Sequence, residues 1–104
     1  MAVERPDLAD RASCAEDELQ AVADKIKAKG GEALVVPTDV ASAEEVEAAA
    51  TAVEETLGPI DVWVNNAMTT VFAPLWEITP EEYERATRVT YLGTAWGTMA
   101  ALRR

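Results

Sequence analysis

Residues 60–68 read IDVWVNNAM, and this stretch decides the predicted fold of the chain. Ile60, Val62 and Val64 fall on one side of an extended segment, and residues 62–64 form an unbroken apolar run. β-Branched and aromatic residues of this kind are typical of a strand buried on both faces. The run stops at two asparagines and a small alanine, which suit a turn. We therefore predict a buried strand whose polar end is either the floor of a ligand site or an ordinary turn.

The composition is that of one small domain. The chain has 104 residues, of which 49% are apolar. No apolar run approaches the roughly 18 residues of a membrane span. The charged start, MAVERPDLADR, lacks the apolar region of a signal peptide. A single cysteine, Cys14, excludes an internal disulfide and suits a reducing compartment, so we expect a cytoplasmic protein.

Several classes of site and partner are excluded by what the sequence lacks. It contains no histidine and only one cysteine, so a structural zinc site and the Ser-His and Cys-His nucleophile systems are not expected. The formal net charge of −10 opposes binding to nucleic acid and to anionic lipid. We predict no metal site, no nucleic-acid partner and no membrane partner.

The first third of the chain predicts an irregular start and one helix. Residues 1–12 show no periodicity and contain a proline, so we expect them to be irregular. Ser13 and Glu16 have the spacing of a capping box, and we expect the helix to begin there. Gly30-Gly31 is a predicted left-handed stop. One apolar stripe along this helix is expected to face the core: Leu19, Val22, Ala23 and Ile26.

The middle of the chain predicts a strand, a helix and a second strand. Residues 33–36 form a short apolar run closed by Pro37. Ser42 and Glu45 repeat the capping-box spacing at the start of a second helix, and Gly58-Pro59 ends it. The apolar stripe of this helix consists of Val46, Ala49, Ala50, Val53 and Leu57. With the strand at residue 60 directly behind it, this segment predicts a βαβ unit with parallel strands.

The last third predicts an apolar loop and a final helix. In the loop, residues 69–78, we expect the large apolar side chains to pack over a neighbouring surface: Phe72, Leu75 and Trp76. Thr79 and Glu82 form a third capping box, with Pro80 at the first helical position. Gly93 and Gly97 leave a groove where another segment can approach closely. That segment is either a partner's helix or sheet, or part of this same chain.

Taken together, these motifs closely resemble the short-chain dehydrogenase/reductase family. Asp39-Val40 follows the first strand, and Asn65-Asn66-Ala67 ends the second. The strings ITPEEY (78–83) and VTYLGT (89–94) are similar to the next helix of that family. The resemblance covers residues 13–104. It implies an α/β, partial Rossmann-like doubly wound fold, with one βαβ unit and flanking helices, forming a partial NAD(P)-binding domain over residues 1–104.

The resemblance also implies a set of cofactor-binding residues for NAD or NADP. It assigns the Asp39 carboxylate to the exocyclic amine of the adenine and places the backbone of Val40 alongside. The alternative for Asp39 is a turn residue that bonds its own backbone. Asn65, Asn66 and Ala67 would line the cofactor and stabilise the sheet. Met68 stands where the family usually has glycine.

Thr90 occupies the position at which the family usually carries an asparagine of a water-linked proton relay. A threonine hydroxyl can hold a water molecule, but it lacks the geometry and the carbonyl of an amide. The alternative is a simple packing role in the helix.

The catalytic elements of the family are absent from these 104 residues. No glycine-rich turn of the form Thr-Gly-x-x-x-Gly-x-Gly occurs, and neither Asp10 nor Arg11 is assigned to cofactor selection because no apolar strand precedes them. Tyr83 and Tyr91 have Thr87 and Ala95 four residues on, so neither makes the Tyr-x-x-x-Lys pair. We expect an internal fragment of a family member, with no catalytic residues and doubtful nucleotide binding.

The topology of the family leads to two further expectations. In the strand order 3-2-1-4-5-6 the two predicted strands correspond to strands 3 and 4, which are not neighbours. Either residues 33–36 pair directly with residues 60–64, or the two strands leave exposed edges. We expect exposed apolar patches and low stability or self-association. The expected activity of the complete family member is NAD(P)-dependent oxidoreduction of an alcohol or carbonyl. The alternative function is an interaction module that pairs with a full-length relative through one face of the last helix: Ala86, Val89, Gly93, Trp96 and Gly97.

Overall fold

The computed structural model describes the backbone of residues 2–3 and 12–104, and the side chains from residue 16 onward. The elements in chain order are β1 (Ala2–Val3), α1 (Ala12–Ala28), β2 (Val36–Pro37), α2 (Ala43–Leu57), a short 3₁₀ helix (Leu75–Glu77), α3 (Pro80–Thr87), a π-helical segment (Arg88–Leu92) and α4 (Gly93–Leu102).

The two described strands form a short parallel sheet. Ala2 lies opposite Val36, and Val3 lies opposite Pro37. The prediction of an irregular start is therefore wrong for β1, while residue 1 and residues 4–11 lie outside the described residues. The predicted strand at residues 33–36 overlaps β2 only at its last residue. Pro37 is part of the strand because a proline at a strand end removes only one donor.

The predicted strand at residues 60–64 does not form, and this is the main correction to the expected fold. No described strand pairs with this segment. Val62 is 79% exposed and Val64 is 75% exposed, so the prediction of burial on both faces is wrong. A strand needs a neighbour for its backbone hydrogen bonds, and none lies beside it in the described part. The βαβ arrangement that is present consists of β1, α1 and β2. The expected exposure of apolar surface is confirmed.

α1 is confirmed as a helix, although its apolar stripe is less buried than expected. It begins at Ala12, one residue before the predicted start, and the Ser13 side chain lies outside the described side chains. Its end is a Schellman motif. Gly30 has φ +83°, and its N–H bonds to Lys27 O at 2.9 Å. Ala23 is buried, whereas the larger apolar residues Val22 and Ile26 are 43% and 38% exposed, so the core-facing prediction holds only in part.

α2 and α4 pack against each other and form the core. α2 begins as predicted, with the Ser42 hydroxyl accepting from Glu45 N, and it ends at Gly58, whose φ is +97°. The buried apolar residues of α2, the π-helical segment and α4 are Val46, Ala49, Ala50, Val89 and Ala100. The guanidinium of Arg104 joins the two helices, bonding Glu54 at 2.9 Å and Ala100 O at 2.9 Å.

α3, the π-helical segment and α4 form one continuous helix, because the backbone stays helical through Arg88 and Gly93. The predicted capping box is present at its start. The Thr79 hydroxyl accepts from Glu82 N, and the Glu82 carboxylate accepts from Thr79 N at 2.9 Å. Pro80 is the first residue of the helix, as expected.

Gly93 and Gly97 permit close packing inside this chain. Both are buried in α4. A Cβ on Gly93 would meet Val40 Cγ2 at 2.8 Å, and one on Gly97 would meet Trp63 Nε1 at 3.0 Å as well as the Asn65 carbonyl oxygen. Of the two interpretations of this glycine pair, packing within the chain is therefore the one observed.

The apolar loop at residues 69–78 does not cover a neighbouring surface. Phe72 is 97% exposed, Trp76 is 85% exposed and Leu75 is 72% exposed. The prediction that they pack is wrong, because the described structure places no apolar partner over them.

Within the described residues, no helix is both long enough and apolar enough to cross a bilayer.

Candidate cofactor site

A cavity of about 770 Å³ opens between α2, the segment at residues 60–68 and α4. Its size is within the range of small-molecule sites. Aliphatic side chains form most of the wall, and the polar groups come mainly from two asparagines and two threonines. The residues that line it are Thr38, Val40, Val46, Ala49, Ala50, Val53, Ile60, Val62, Trp63, Val64, Asn65, Asn66, Ala67, Met68, Gly93, Thr94 and Gly97.

Four of the five predicted cofactor residues line this one cavity: Val40, Asn65, Asn66 and Ala67. The fifth, Asp39, does not line it, but the residues on both sides of it do. The two sequence motifs lie far apart along the chain, and both pack against α4. Val40 lies close to Gly93, and Asn65 lies close to Gly97. The structure thus places the predicted residues in and beside a single site.

Asp39 is held by hydrogen bonds to its main chain and to its carboxylate. Its backbone N–H donates to the carboxylate of Glu45 at 2.8 Å. Its own Oδ1 accepts from the backbone N–H of Ala41 at 2.9 Å, which is the turn geometry of the alternative interpretation. Glu45 was identified by its capping-box spacing, but its carboxylate bonds to Asp39 rather than to the N-cap residue. The turn role of Asp39 leaves its carboxylate able to contact other groups.

Arg85 of α3 forms an ion pair with Asp39. Its Nη1 lies 3.1 Å from Asp39 Oδ2 and 3.3 Å from Asp39 Oδ1. Each side chain is only about a quarter exposed, at 27% for Arg85 and 26% for Asp39. The residues are 46 positions apart. Sequence reasoning missed Arg85 because no local spacing or motif links an arginine in one helix to an aspartate in a distant turn.

The side chain of Asn65 is oriented from both ends of its amide. Its carbonyl oxygen accepts from Trp63 Nε1 at 2.8 Å, and its NH₂ donates to the Thr98 hydroxyl at 3.1 Å. That hydroxyl in turn donates to Thr94 O at 2.8 Å. These bonds fix the end of the apolar segment to α4, so the predicted stabilising role of Asn65 is directed at the helix rather than at a sheet.

Thr90 lies within the π-helical segment and tethers the loop that follows residue 68. Its hydroxyl donates to Thr69 O at 3.0 Å and accepts from Thr69 N at 3.2 Å. A hydroxyl has one proton to donate, and the Thr90 hydroxyl donates it to the main-chain carbonyl of Thr69. Thr90 is also exposed, so its role in the structure is a loop contact rather than burial between helices.

The residues present fit part of a dinucleotide. The apolar wall and amides suit a base and a ribose, but no lysine or arginine is among the residues that line the cavity. The phosphates would therefore find no cationic side chain in this lining. The described side chains also bring no three His, Cys, Asp or Glu residues together in a group that could hold a metal ion.

Comparisons with known proteins place this geometry in a family. The model of the short chain dehydrogenase family matches residues 9–104. An uncharacterized oxidoreductase of Bacillus subtilis, YxnA, is 34% identical over 88 residues, which cover 85% of this chain and 25% of the relative.

Two solved structures share the fold and contain a nicotinamide nucleotide. An alcohol dehydrogenase from the archaeon Thermococcus sibiricus, complexed with 5-hydroxy-NADP, is 32% identical with a TM-score of 0.77, covering 85% of this chain and 38% of that one. A blue fluorescent protein from a metagenomic library, in complex with NADPH, is 26% identical with a TM-score of 0.81, covering 98% of this chain and 38% of that one.

The chain therefore spans about a quarter to two fifths of the length of these relatives. The family model nonetheless covers almost all of this chain, from residue 9 to residue 104. It covers the Asp39-Val40 turn, the asparagine pair and the helix that joins them. This chain belongs to the short-chain dehydrogenase family.

Proposed function

We propose that this chain forms the adenine-side wall of an NAD(P) site in an oxidoreductase that acts on an alcohol or a carbonyl. One observation carries the proposal: Val40 and residues 65–67 line a single cavity, and Asp39 stands between two lining residues, Thr38 and Val40. The complexes of the two structural relatives with NADPH and 5-hydroxy-NADP support the choice of nucleotide.

In this proposal each part of the wall has a separate task. The Asp39 carboxylate accepts a hydrogen bond from the exocyclic amine of the base. Val40 and the aliphatic residues of α2 contact the flat faces of the base and exclude water from it. Asn66 and Ala67 contact the ribose, while Asn65 keeps its amide on α4. The bound nicotinamide would supply or accept the hydride.

We propose that this chain alone does not carry out the reaction. Reduction of a carbonyl needs a proton donor at the substrate oxygen as well as a hydride. Tyr83 is 61% exposed and Tyr91 is 70% exposed, and neither lines the cavity. No lysine follows either tyrosine at the required spacing. The described residues therefore supply a binding surface for the nucleotide but not the acid.

The alternative function, an interaction module, has less support. It needs the face of the last helix that carries Gly93 and Gly97 to be open to a partner. In this structure Val40 covers the first glycine, and Trp63 and Asn65 cover the second. Val89 on the same face is fully buried. The face is thus occupied by the chain itself.

The test is an NMR titration of the ¹⁵N-labelled chain with NAD⁺ and with NADP⁺. We expect weak binding, with shifts concentrated at the amides of Val40 and residues 65–67. Nicotinamide mononucleotide, which lacks the adenine, is the matched control and should leave these amides unchanged. Asp39→Ala should reduce the shifts without unfolding the chain.

Two results would contradict the proposal. Equal shifts with the dinucleotides and with nicotinamide mononucleotide would remove the adenine assignment. Shifts confined to residues outside the cavity would remove the site itself. Separately, oxidation of any alcohol by the purified chain with either cofactor would show that the chain needs no further residues for catalysis.

A further inference from the structure

Asp39 and Arg85 form a partly buried ion pair beside the cavity, and no sequence motif links them. We propose that Arg85 is a positioning residue, which sets the direction in which Asp39 accepts a hydrogen bond from the base of a bound nucleotide. This inference rests on the proposed function and adds to it the residue that makes the contact selective for adenine.

Among the described residues, the hydrogen bonds of the Asp39 carboxylate leave one acceptor position on Oδ2. Each carboxylate oxygen can accept about two hydrogen bonds. Oδ1 accepts from Ala41 N at 2.9 Å and from Arg85 Nη1 at 3.3 Å. Oδ2 accepts from Arg85 Nη1 at 3.1 Å. The second position of Oδ2 is the one that remains for a ligand, and the guanidinium determines where it points.

The helix that carries Arg85 is well placed to hold this turn. Its start is fixed by the capping box of Thr79. Eight residues after Arg85, Gly93 packs directly against Val40. One helix therefore contacts both residues of the Asp39-Val40 pair, the first through a charge and the second through a close backbone approach. Without the guanidinium, the described contact that remains to orient the carboxylate is the Ala41 N–H.

The orientation of Asp39 matters because it decides which base can bind. The exocyclic amine of adenine donates a hydrogen bond, which a carboxylate accepts. Hypoxanthine has a carbonyl oxygen at the same position, and two acceptors that face each other have no proton to share. A fixed Asp39 therefore favours adenosine over inosine. A carboxylate that turns toward water loses this preference, because re-ordering it on binding offsets the bond.

The experiment compares adenosine with inosine as probes, using NMR titrations of the full chain. Both nucleosides are neutral, which avoids the repulsion of a phosphate by a chain of net charge −10. Arg85→Met is the test variant. Arg88→Met is its matched control, because Arg88 lies on the same helix and pairs with Glu84 at 3.0 Å in an exposed position.

We expect the wild-type chain to prefer adenosine. Arg85→Met should weaken adenosine binding roughly three- to tenfold, as expected for re-ordering one side chain, and bring it close to that of inosine. Inosine binding should change by less than about twofold, since inosine makes no bond to Asp39. Arg88→Met should leave both affinities unchanged. The ratio of the two affinities in one variant does not depend on its folded fraction, so a loss of stability cannot imitate this result.

An unchanged preference for adenosine in Arg85→Met would overturn the inference, and so would an equal loss of both nucleosides. If the wild-type chain binds neither, or binds both equally, the proposed function itself fails and the inference falls with it. If Arg85→Met does not fold, Arg85→Lys replaces it. This variant keeps the charge but lacks the planar guanidinium, and we expect a reduced preference. A full wild-type preference in Arg85→Lys would then overturn the inference.

Discussion

Two apolar parts of this molecule have opposite environments. The region formed by α2, the π-helical segment and α4 buries apolar side chains, and Val89 in that region is inaccessible to solvent. The segment at residues 60–78 is as rich in apolar residues, yet Val62 is 79% exposed and Phe72 is 97% exposed. The difference teaches that an apolar pattern predicts burial only where a second surface is present to cover it.

The two regions also differ in how far their contacts reach. The hydrogen bonds of the helix caps join residues three or four positions apart. They therefore form regardless of which other parts of the chain lie nearby. Residues 60–64 need a neighbouring strand, and the described structure offers none. The Asn65 side chain is the point at which the exposed segment is nevertheless fastened to the core, through Thr98.

The largest effect is expected at the close contact between α4 and the Asp39-Val40 turn. In Gly93→Ala the added Cβ would lie 3.1 Å from Val40 Cβ and 3.2 Å from Val40 O, so the backbone of the turn must move. We expect a loss of about 3 kcal/mol in the free energy of unfolding, as for overpacking of a rigid contact. Urea unfolding followed by circular dichroism measures it.

The control for this change is Leu102→Ala in the same helix, where the side chain is 83% exposed. It should alter the free energy of unfolding by no more than about 0.5 kcal/mol. If Gly93→Ala proves as stable as the wild-type chain, the turn does not rest on the helix, and the arrangement of the candidate site is wrong.

A second prediction compares one valine from each region. Val89→Ala removes two methyl groups from a fully buried position and should cost about 2 kcal/mol. Val62→Ala removes the same groups from a side chain that is 79% exposed, and should have almost no effect. Thermal unfolding of the two variants measures the difference directly. Similar losses would mean that the segment at residue 62 is packed in solution.

A third, smaller effect is expected at the end of α4. Arg104 is 13% exposed on its side chain and bonds Glu47 and Glu54 of α2 at 3.0 and 2.9 Å. Arg104→Met should lower the free energy of unfolding by about 1 kcal/mol through these lost bonds. Arg103→Met is the control, because Arg103 is 61% exposed and lies 3.8 Å from Glu47. A cost at Arg103 equal to that at Arg104 would argue against the joining role.

The smallest effect on stability, and the clearest on association, is expected in the exposed loop. The double change Phe72→Ser with Trp76→Ser replaces side chains that are 97% and 85% exposed, so the free energy of unfolding should stay within about 0.5 kcal/mol. Self-association at high concentration should fall, since exposed apolar surface promotes it. Analytical ultracentrifugation tests this. Unchanged association would mean that another surface mediates self-association, and residues 62–64 would be the next candidates.

Local signals in the sequence predicted the helices well. The capping residues Ser42 and Thr79 and the stops at Gly30 and Gly58 all lie where the spacing placed them. Each of these signals depends on hydrogen bonds within a few residues, so the sequence alone contains the whole interaction. The main error in the helical regions was α1, where an apolar stripe was present but little covered it.

Strands were predicted less well for the opposite reason. The β-branched run at residues 60–64 has the composition of a strand, but the backbone partners that make a strand lie elsewhere in a sheet. β1, in contrast, has almost no local signal, and it forms because it pairs with Val36 and Pro37. The composition of a segment gives its tendency to form a strand. Whether the strand forms depends on which other segments lie beside it in the fold.

The candidate site shows the same division. Asp39-Val40 and residues 65–67 were predicted because they resemble a family pattern. Arg85, Glu45 and Thr98, which hold those residues in place, were not assigned such roles. Their contacts arise only when distant parts of the chain meet, and no spacing along the sequence encodes them.

The π-helical segment has a consequence for the geometry of the site. Arg85 and Gly93 are eight residues apart, and in a regular α-helix eight residues advance about 80° beyond two full turns. Hydrogen bonds of the i→i+5 type hold about one more residue in the turn at Arg88–Leu92, which takes up most of that angle. The two residues therefore face the same way, as they would if seven residues separated them. The helix therefore contains one residue more than its contacts with Asp39 and Val40 require. Deleting one residue of the π-helical segment should preserve both contacts, whereas inserting one residue between Arg85 and Arg88 should turn Arg85 away from Asp39.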